Sequence, residues 1–312
     1  MSNILIQLED DNGNKLFPLT PSASSFFTDV ECKNAFISKM NEKAASLGMS
    51  NTTWINPSGL GESGNYSRTS VRDLARMMIE ALSYNRLLKI WNKSKYSVRV
   101  KNKSDISITT SVTSPSLENY YPILGGKTGG GDGYLALVIA TVVENIPVVG
   151  AISEVSTGNP TDRFVAMKQL FDAVKVKIQG GTPSQHAVTI ANCACAYLVP
   201  NYNTATVEDS NLLSCLYEQN ADKVTIPMST TKVMTIITAL DYIYDIHVPV
   251  IIKPLDVEGT QETSGSIFSV GDIVSLEDLM YAAMLPSSNQ AANAIARYAG
   301  QKILAESNFI NI

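Results

Sequence analysis

The chain has 312 residues, enough to bury a sizeable core as one large domain or as two lobes. With 45% hydrophobic and 17% charged residues it lies far from a disordered composition. Its net charge of −5, with no local run of Lys and Arg, argues against a nucleic-acid surface.

Residues 1–11 have neither a basic start nor a long apolar core and do not read as a secretory signal. Residues 4–19 alternate around Asp11-Asn12-Gly13-Asn14, the pattern of a hairpin, and residues 20–29, rich in Ser, Thr and Pro, read as a linker. Over residues 34–47 apolar side chains recur at helical spacing (Phe36, Ile37, Met40, Ala44, Leu47), and Gly48 supplies the stop. Asn56-Pro57-Ser58-Gly59-Leu60 is a turn-rich loop, with a second amphipathic helix following over 70–82. Residues 95–113 alternate polar and β-branched side chains, as strands do.

A Gly-rich segment, 125–133, precedes the most apolar stretch of the chain, 134–152. Glu144, Asn145 and Pro147 near its middle argue against a membrane span and place a turn between two strands. A helix is expected over 161–176, capped by Thr161 with Asp162 in its first turn. Residues 179–185 read as a flexible joint. Beyond it, 187–199 and 212–219 are strand-like, 230–244 is a long apolar helix, and 276–299 holds two more helical stretches. The four cysteines, Cys32, Cys193, Cys195 and Cys215, read as buried free thiols in preference to a disulfide or metal site. His186 and His247 stand apart from other ligand-type residues, so neither a metal nor a cofactor is expected.

Three short motifs carry chemistry. In Ser229-Thr230-Thr231-Lys232, at the start of an apolar helix, a spacing of three places Ser229 and Lys232 one turn apart on one face. A serine hydroxyl needs a neighbouring base to become a nucleophile, and a desolvated lysine is the best candidate here. In Ser287-Ser288-Asn289 a hydroxyl and an amide two residues apart suit a proton relay and an orienting donor, although Pro286-Ser287 also reads as a turn and helix cap. In Lys127-Thr128-Gly129 a lysine and a hydroxyl on an edge strand suit a carboxylate clamp. The alternative, a phosphate-binding glycine loop, requires a following helix, and a strand pattern follows instead.

Together these resemble the Ser-x-x-Lys, Ser-x-Asn and Lys-Thr-Gly elements of the penicillin-recognising serine enzymes. The flanking text resembles the low-molecular-mass D-alanyl-D-alanine carboxypeptidases of peptidase S11 type: residues 217–229 before the nucleophile, 271–280 before the second motif, and 36–49, 56–60, 65–67 and 73–75. The similarity covers roughly residues 34–178 and 187–300, but the third motif comes first in the chain. Joining the end of the chain to residue 34 restores the family order, so the resemblance implies a circular permutation.

It also implies a mixed α/β (α+β) fold of the β-lactamase/transpeptidase-like type, with an antiparallel sheet flanked by helices plus an all-helical lobe. Residues 1–33 then form a hairpin and linker, and 34–312 the permuted domain. Its helical lobe takes about 34–95 and 255–312, its sheet lobe about 96–254, and the joint 179–186. By resemblance, Ser229 is the nucleophile, Lys232 the base, and Ser287 and Asn289 the relay and orienting group. Lys127, Thr128 and Gly129 hold the substrate, and the N–H groups of Ser229 and Gly130 form the oxyanion hole. The implied partners are peptidoglycan stem peptides ending in D-Ala-D-Ala, with β-lactam antibiotics as covalent inhibitors and no nucleic acid. The family acts in the periplasm or at the cell wall. Two departures stand out: Gly130 and Gly131 follow the Lys-Thr-Gly motif where the family carries bulkier and hydroxyl residues, and no export signal is visible. Two other readings stay open, a retired peptidoglycan-binding module on a phage or cell surface, and a serine β-lactamase.

Overall fold

The computed structural model describes residues 8–9, 15–16, 27–61, 64–131, 133–155, 159–199, 215–260, 263 and 265–310. Strands β1 (Leu8–Glu9) and β2 (Lys15–Leu16) pair antiparallel, as the leading hairpin requires. The expected turn at Asp11-Asn12-Gly13-Asn14 and residues 20–26 of the linker lie outside the described residues. Helix α1 (Asp29–Ser46) starts five residues before the expected start at residue 34, because Thr28 and Glu31 form a capping box. Thr28 Oγ1 accepts from the Glu31 N–H at 3.2 Å, and the Thr28 N–H donates to Glu31 Oε2 at 2.7 Å. Of that first turn only Cys32 is buried, so hydrophobic periodicity does not reveal it.

Helices α2 (Val71–Ala81), capped by Ser70, and α3 (Asn85–Trp91) follow, then a small ribbon of β3 (Lys95–Val98) and β4 (Ile106–Thr109), and the short α4 (Pro115–Glu118). The expected glycine-rich segment is largely strand. It forms the second half of β5 (Ile123–Gly131), which pairs with β6 (Tyr134–Val143), itself paired with β7 (Ile146–Val155). Glu144 and Asn145, both at positive φ (48° and 63°), close the β6–β7 hairpin, as a two-residue turn of the primed type demands.

Helix α5 (Asp162–Ile178) then crosses one face of the sheet. Thr161 does not cap it: its hydroxyl donates instead to Asn159 Oδ1 at 2.9 Å, within a turn around Asn159-Pro160. Residues 179–190 hold neither helix nor strand. Strands β8 (Ala191–Leu198) and β9 (Cys215–Gln219) complete an antiparallel sheet in the order β5-β6-β7-β8-β9. Three cysteines are buried as expected, but Cys215 is exposed, since it opens the edge strand β9.

The remaining elements are α6 (Thr231–Tyr242), β10 (Pro249–Ile251), α7 (Pro254–Val257), β11 (Ile273–Ser275), α8 (Leu276–Met284) and α9 (Asn289–Ile310). Strand alternation splits the sheet's side chains between two cores. Leu137, Ile139, Val148 and Ile152 face α5, whereas Val138, Ala140, Val149 and Ala151 join the larger core built by α1, α2, α6, α8 and α9. No helix among the described residues is long and apolar enough to cross a membrane.

Helix α9 is fastened to the segment around α7 by a buried ion pair. Arg297 donates from Nε (2.9 Å) and Nη2 (2.7 Å) to the Asp256 carboxylate, and also from Nη2 to the Ile251 carbonyl at 2.7 Å. Both side chains are almost wholly buried. Removing one partner leaves the other charge unpaired in the core. Asp256→Ala should therefore cost about 3–5 kcal/mol in chemical denaturation, and a double variant with Arg297→Met should recover much of that loss. A double variant no better than the single would contradict this account.

Candidate active site

Helix α6 is preceded by a 3-10 turn, Met228–Thr230, which projects Ser229 at the helix start. The turn is held by the Thr230 hydroxyl on the Pro227 carbonyl (2.6 Å) and the Thr231 hydroxyl on the Met228 carbonyl (2.8 Å). Met228 takes φ +49°, a conformation that costs a non-glycine residue energy and that packing must hold in place. That packing needs glycine on both flanks. A Cβ on Gly129 of β5 would lie 2.8 Å from the Pro227 carbonyl oxygen, and one on Gly59 only 1.8 Å from that of Met228. Thus the third motif and the loop at 56–60 both close on the serine turn.

The spacing of three delivers Lys232 as expected. Its Nζ donates to the Ser58 carbonyl (2.8 Å) and to Asn289 Oδ1 (2.7 Å), and lies 2.9 Å from Ser229 Oγ. A neutral amine has two donors and one lone pair, so these distances leave the lone pair facing the Ser229 hydroxyl. Burial, and secondarily the charge of Lys127, hold Lys232 well below the usual lysine range. Lys127 is equally buried; its Nζ donates to Ser287 Oγ (2.8 Å) and the Thr128 carbonyl (3.1 Å). Burial, with a smaller contribution from Arg163, lowers it to about 7.

The structure brings all the sequence-predicted positions into one neighbourhood. Ser229, Lys232 and Asn289 are directly bonded, Ser287 is bonded to Lys127, and Gly129 abuts the serine turn. Thr128 shares a hydrogen bond with Ser111 at 2.9 Å, and Gly130 is exposed near the end of β5. Ser287, like Met228, is held at positive φ (70°).

Three further contributors escaped the sequence reading. The Ser58 carbonyl is a backbone group in a loop that had only been read as a turn. Ser111 reaches Thr128 through tertiary contact alone, with no local signal. Arg163 carries one: a cation in the first turn of α5 opposes the helix dipole. It donates instead to the Gly129 carbonyl (2.8 Å) and the Pro160 carbonyl (2.6 Å). Among the described residues no group of three or more His, Cys, Asp or Glu stands together to hold a metal ion.

A family profile described as D-alanyl-D-alanine carboxypeptidase, peptidase S11, matches residues 31–157 and 194–311, more than half of the chain. The chain belongs to the D-alanyl-D-alanine carboxypeptidase family. The antiparallel sheet flanked by helices agrees with the fold class of this family. The chain is similar to the D-alanyl-D-alanine carboxypeptidase DacF of Bacillus subtilis, 30% identical over 138 residues, which are 44% of this chain and 34% of that protein. It is also similar to a D-alanyl-D-alanine endopeptidase of Pseudomonas aeruginosa, 40% identical over 60 residues, 19% of this chain and 18% of that one. Thus it spans about a third, or less, of the curated relatives it matches. A solved D-alanyl-D-alanine carboxypeptidase from Mycobacterium tuberculosis aligns at 26% identity with a TM-score of 0.34, over 38% of this chain and 44% of that one.

The paired amines give a titration that can be read directly. In a carbon-13 lysine spectrum, one amine should titrate with a midpoint near 7 and vanish in Lys127→Met. In that variant Lys232 should lose its proton at higher pH than in the parent, because a neighbouring positive charge has gone. An unmoved Lys232 would contradict the coupling.

Proposed function

We propose that this member of the family is a serine-type D-Ala-D-Ala carboxypeptidase acting on peptidoglycan stem peptides through an acyl-enzyme. The observation that carries the reading is the buried Lys232 amine, 2.9 Å from Ser229 Oγ and held below its ordinary range. Neutral Lys232 takes the Ser229 proton as Oγ bonds to the carbonyl carbon between the two D-alanines. The tetrahedral oxyanion is met by the N–H groups of Ser229 and Gly130. As the carbon–nitrogen bond breaks, the proton passes to the departing amine of D-alanine, with Ser287 and Asn289 as relay and orienting group. Water then gives its proton to Lys232 and its oxygen to the acyl carbon, releasing the shortened peptide and restoring Ser229.

Lys127, the Thr128 hydroxyl and Arg163 supply a cationic recess for the terminal carboxylate, and the hydrogen bond between the Ser111 and Thr128 hydroxyls orients Thr128. β-Lactams, whose strained amide stands where the scissile bond stands, are the expected covalent inhibitors.

We also read the chain order as a circular permutation of the family arrangement. Its support is the motif order, Lys127 ahead of Ser229 and Ser287, together with the irregular segment 179–190, which lies between the two matched stretches. A rearranged chain running 187–312 and then 27–178 through a short linker should unfold cooperatively close to the parent's temperature. A molten rearranged chain would count against the permutation.

For the activity, release of D-alanine from diacetyl-lysyl-D-Ala-D-Ala should occur with the parent and fall about 10⁴-fold or more in Ser229→Ala. Fluorescent penicillin should give one adduct, mapped to the Ser229 peptide and absent from that variant. Binding of the peptide without release would point to a retired module. A persisting adduct in Ser229→Ala would remove Ser229 from its role.

A further inference from the structure

A cleft of about 560 Å3 lies beside the serine turn, lined by Asn65, Tyr66 and Arg68 on one side, by Tyr134 and Glu154 from the ends of β6 and β7, and by Ile226. None of these side chains takes part in the chemistry above. Its place relative to Ser229 follows from the chain. Ile226 precedes the nucleophile by three residues, and Tyr134 is the register partner of Gly131, the last residue of β5.

A peptide with its carboxylate at Lys127 and Thr128, and its scissile carbonyl between Ser229 and Gly130, runs antiparallel to β5. At about 3.3 Å per residue, the residue before the D-alanine pair arrives at Gly131 and Tyr134, the mouth of this cleft.

The charges lining the cleft are not balanced. Glu154 is neutralised by Lys223, whose Nζ donates at 2.6 Å, and it also accepts from Asn192 Nδ2 at 2.7 Å. Arg68 is exposed, and among the described residues no carboxylate pairs with its guanidinium. Among the described residues the uncompensated charge is therefore positive. A side chain ending only in an ammonium meets a like charge there. One ending in both an ammonium and a carboxylate offers the guanidinium a forked partner, while the two tyrosine rings flank its aliphatic stem.

We infer that this cleft receives the side chain of the residue preceding D-Ala-D-Ala, and that Arg68 selects side chains that end in a carboxylate. The inference rests on the carboxypeptidase reading for the direction in which the peptide lies.

The test compares two pentapeptides that differ only at the third residue, meso-diaminopimelate or L-lysine, on the full chain. D-Alanine release should favour the diaminopimelyl peptide about fivefold in kcat/KM, the scale of one partly exposed ion pair. Arg68→Ala should bring the two peptides within twofold of each other, and Arg68→Lys should keep part of the preference. Equal rates in the parent, or a preference that survives Arg68→Ala, would overturn the assignment. Calorimetric binding of both peptides to Ser229→Ala separates the two levels of the argument. A binding preference that depends on Arg68, with no D-alanine release from the parent, supports the cleft and refutes the carboxypeptidase. Release without any Arg68-dependent preference does the reverse.

Discussion

Two primary amines, those of Lys127 and Lys232, are removed from water altogether, and each is bonded to oxygens that carry no formal charge. An ammonium in such surroundings lacks both hydration and a counter-ion, so the neutral form gains wherever the fold can supply hydrogen bonds to it. With the two groups close enough to feel each other, the first proton to bind discourages the second. The site thus holds a free base at neutral pH without a histidine or carboxylate beside the serine, and the rest of the architecture serves to keep water out of this pocket.

That service is distributed. The serine turn is wedged between two glycines from distant parts of the chain, and its strained Met228 is fixed by hydroxyls on its own first turn. Asn289 opens α9, and the buried Arg297 and Asp256 pair anchors that helix two turns further on. A rigid mounting matters because the 2.7–2.9 Å contacts of Lys232 come from three separate segments, around residues 58, 229 and 289. A shift in any one of them would misplace the lone pair.

Much of this was legible beforehand because the informative signals are local. Helical spacing fixed the Ser229–Lys232 geometry, and Glu144-Asn145 marked the hairpin turn. The continuous apolar run on either side of that turn identified β6 and β7. The first turn of α1 was missed because capping boxes do not repeat. Thr161 was misjudged because Asn159 competes for its hydroxyl. Ser111 gave no signal as a site residue and Arg163 only an unfavourable place at its helix start, since what matters in each is a contact made only after folding, to Thr128 and to the Gly129 carbonyl. Ser58 contributes through its main chain, where side-chain identity says nothing.

Strand β5 lies at the margin of the sheet, so one row of its amides and carbonyls has no neighbour within the sheet. Exposed margins of this kind invite other chains to join, which is how many proteins aggregate. Here the serine turn stands against that row, and the three consecutive glycines at its far end offer an incoming strand no side chains to interlock with. The result is a slot wide enough for a few residues of extended backbone and too short for a lasting sheet-to-sheet union, so the same geometry that admits a small peptide also protects the protein from itself.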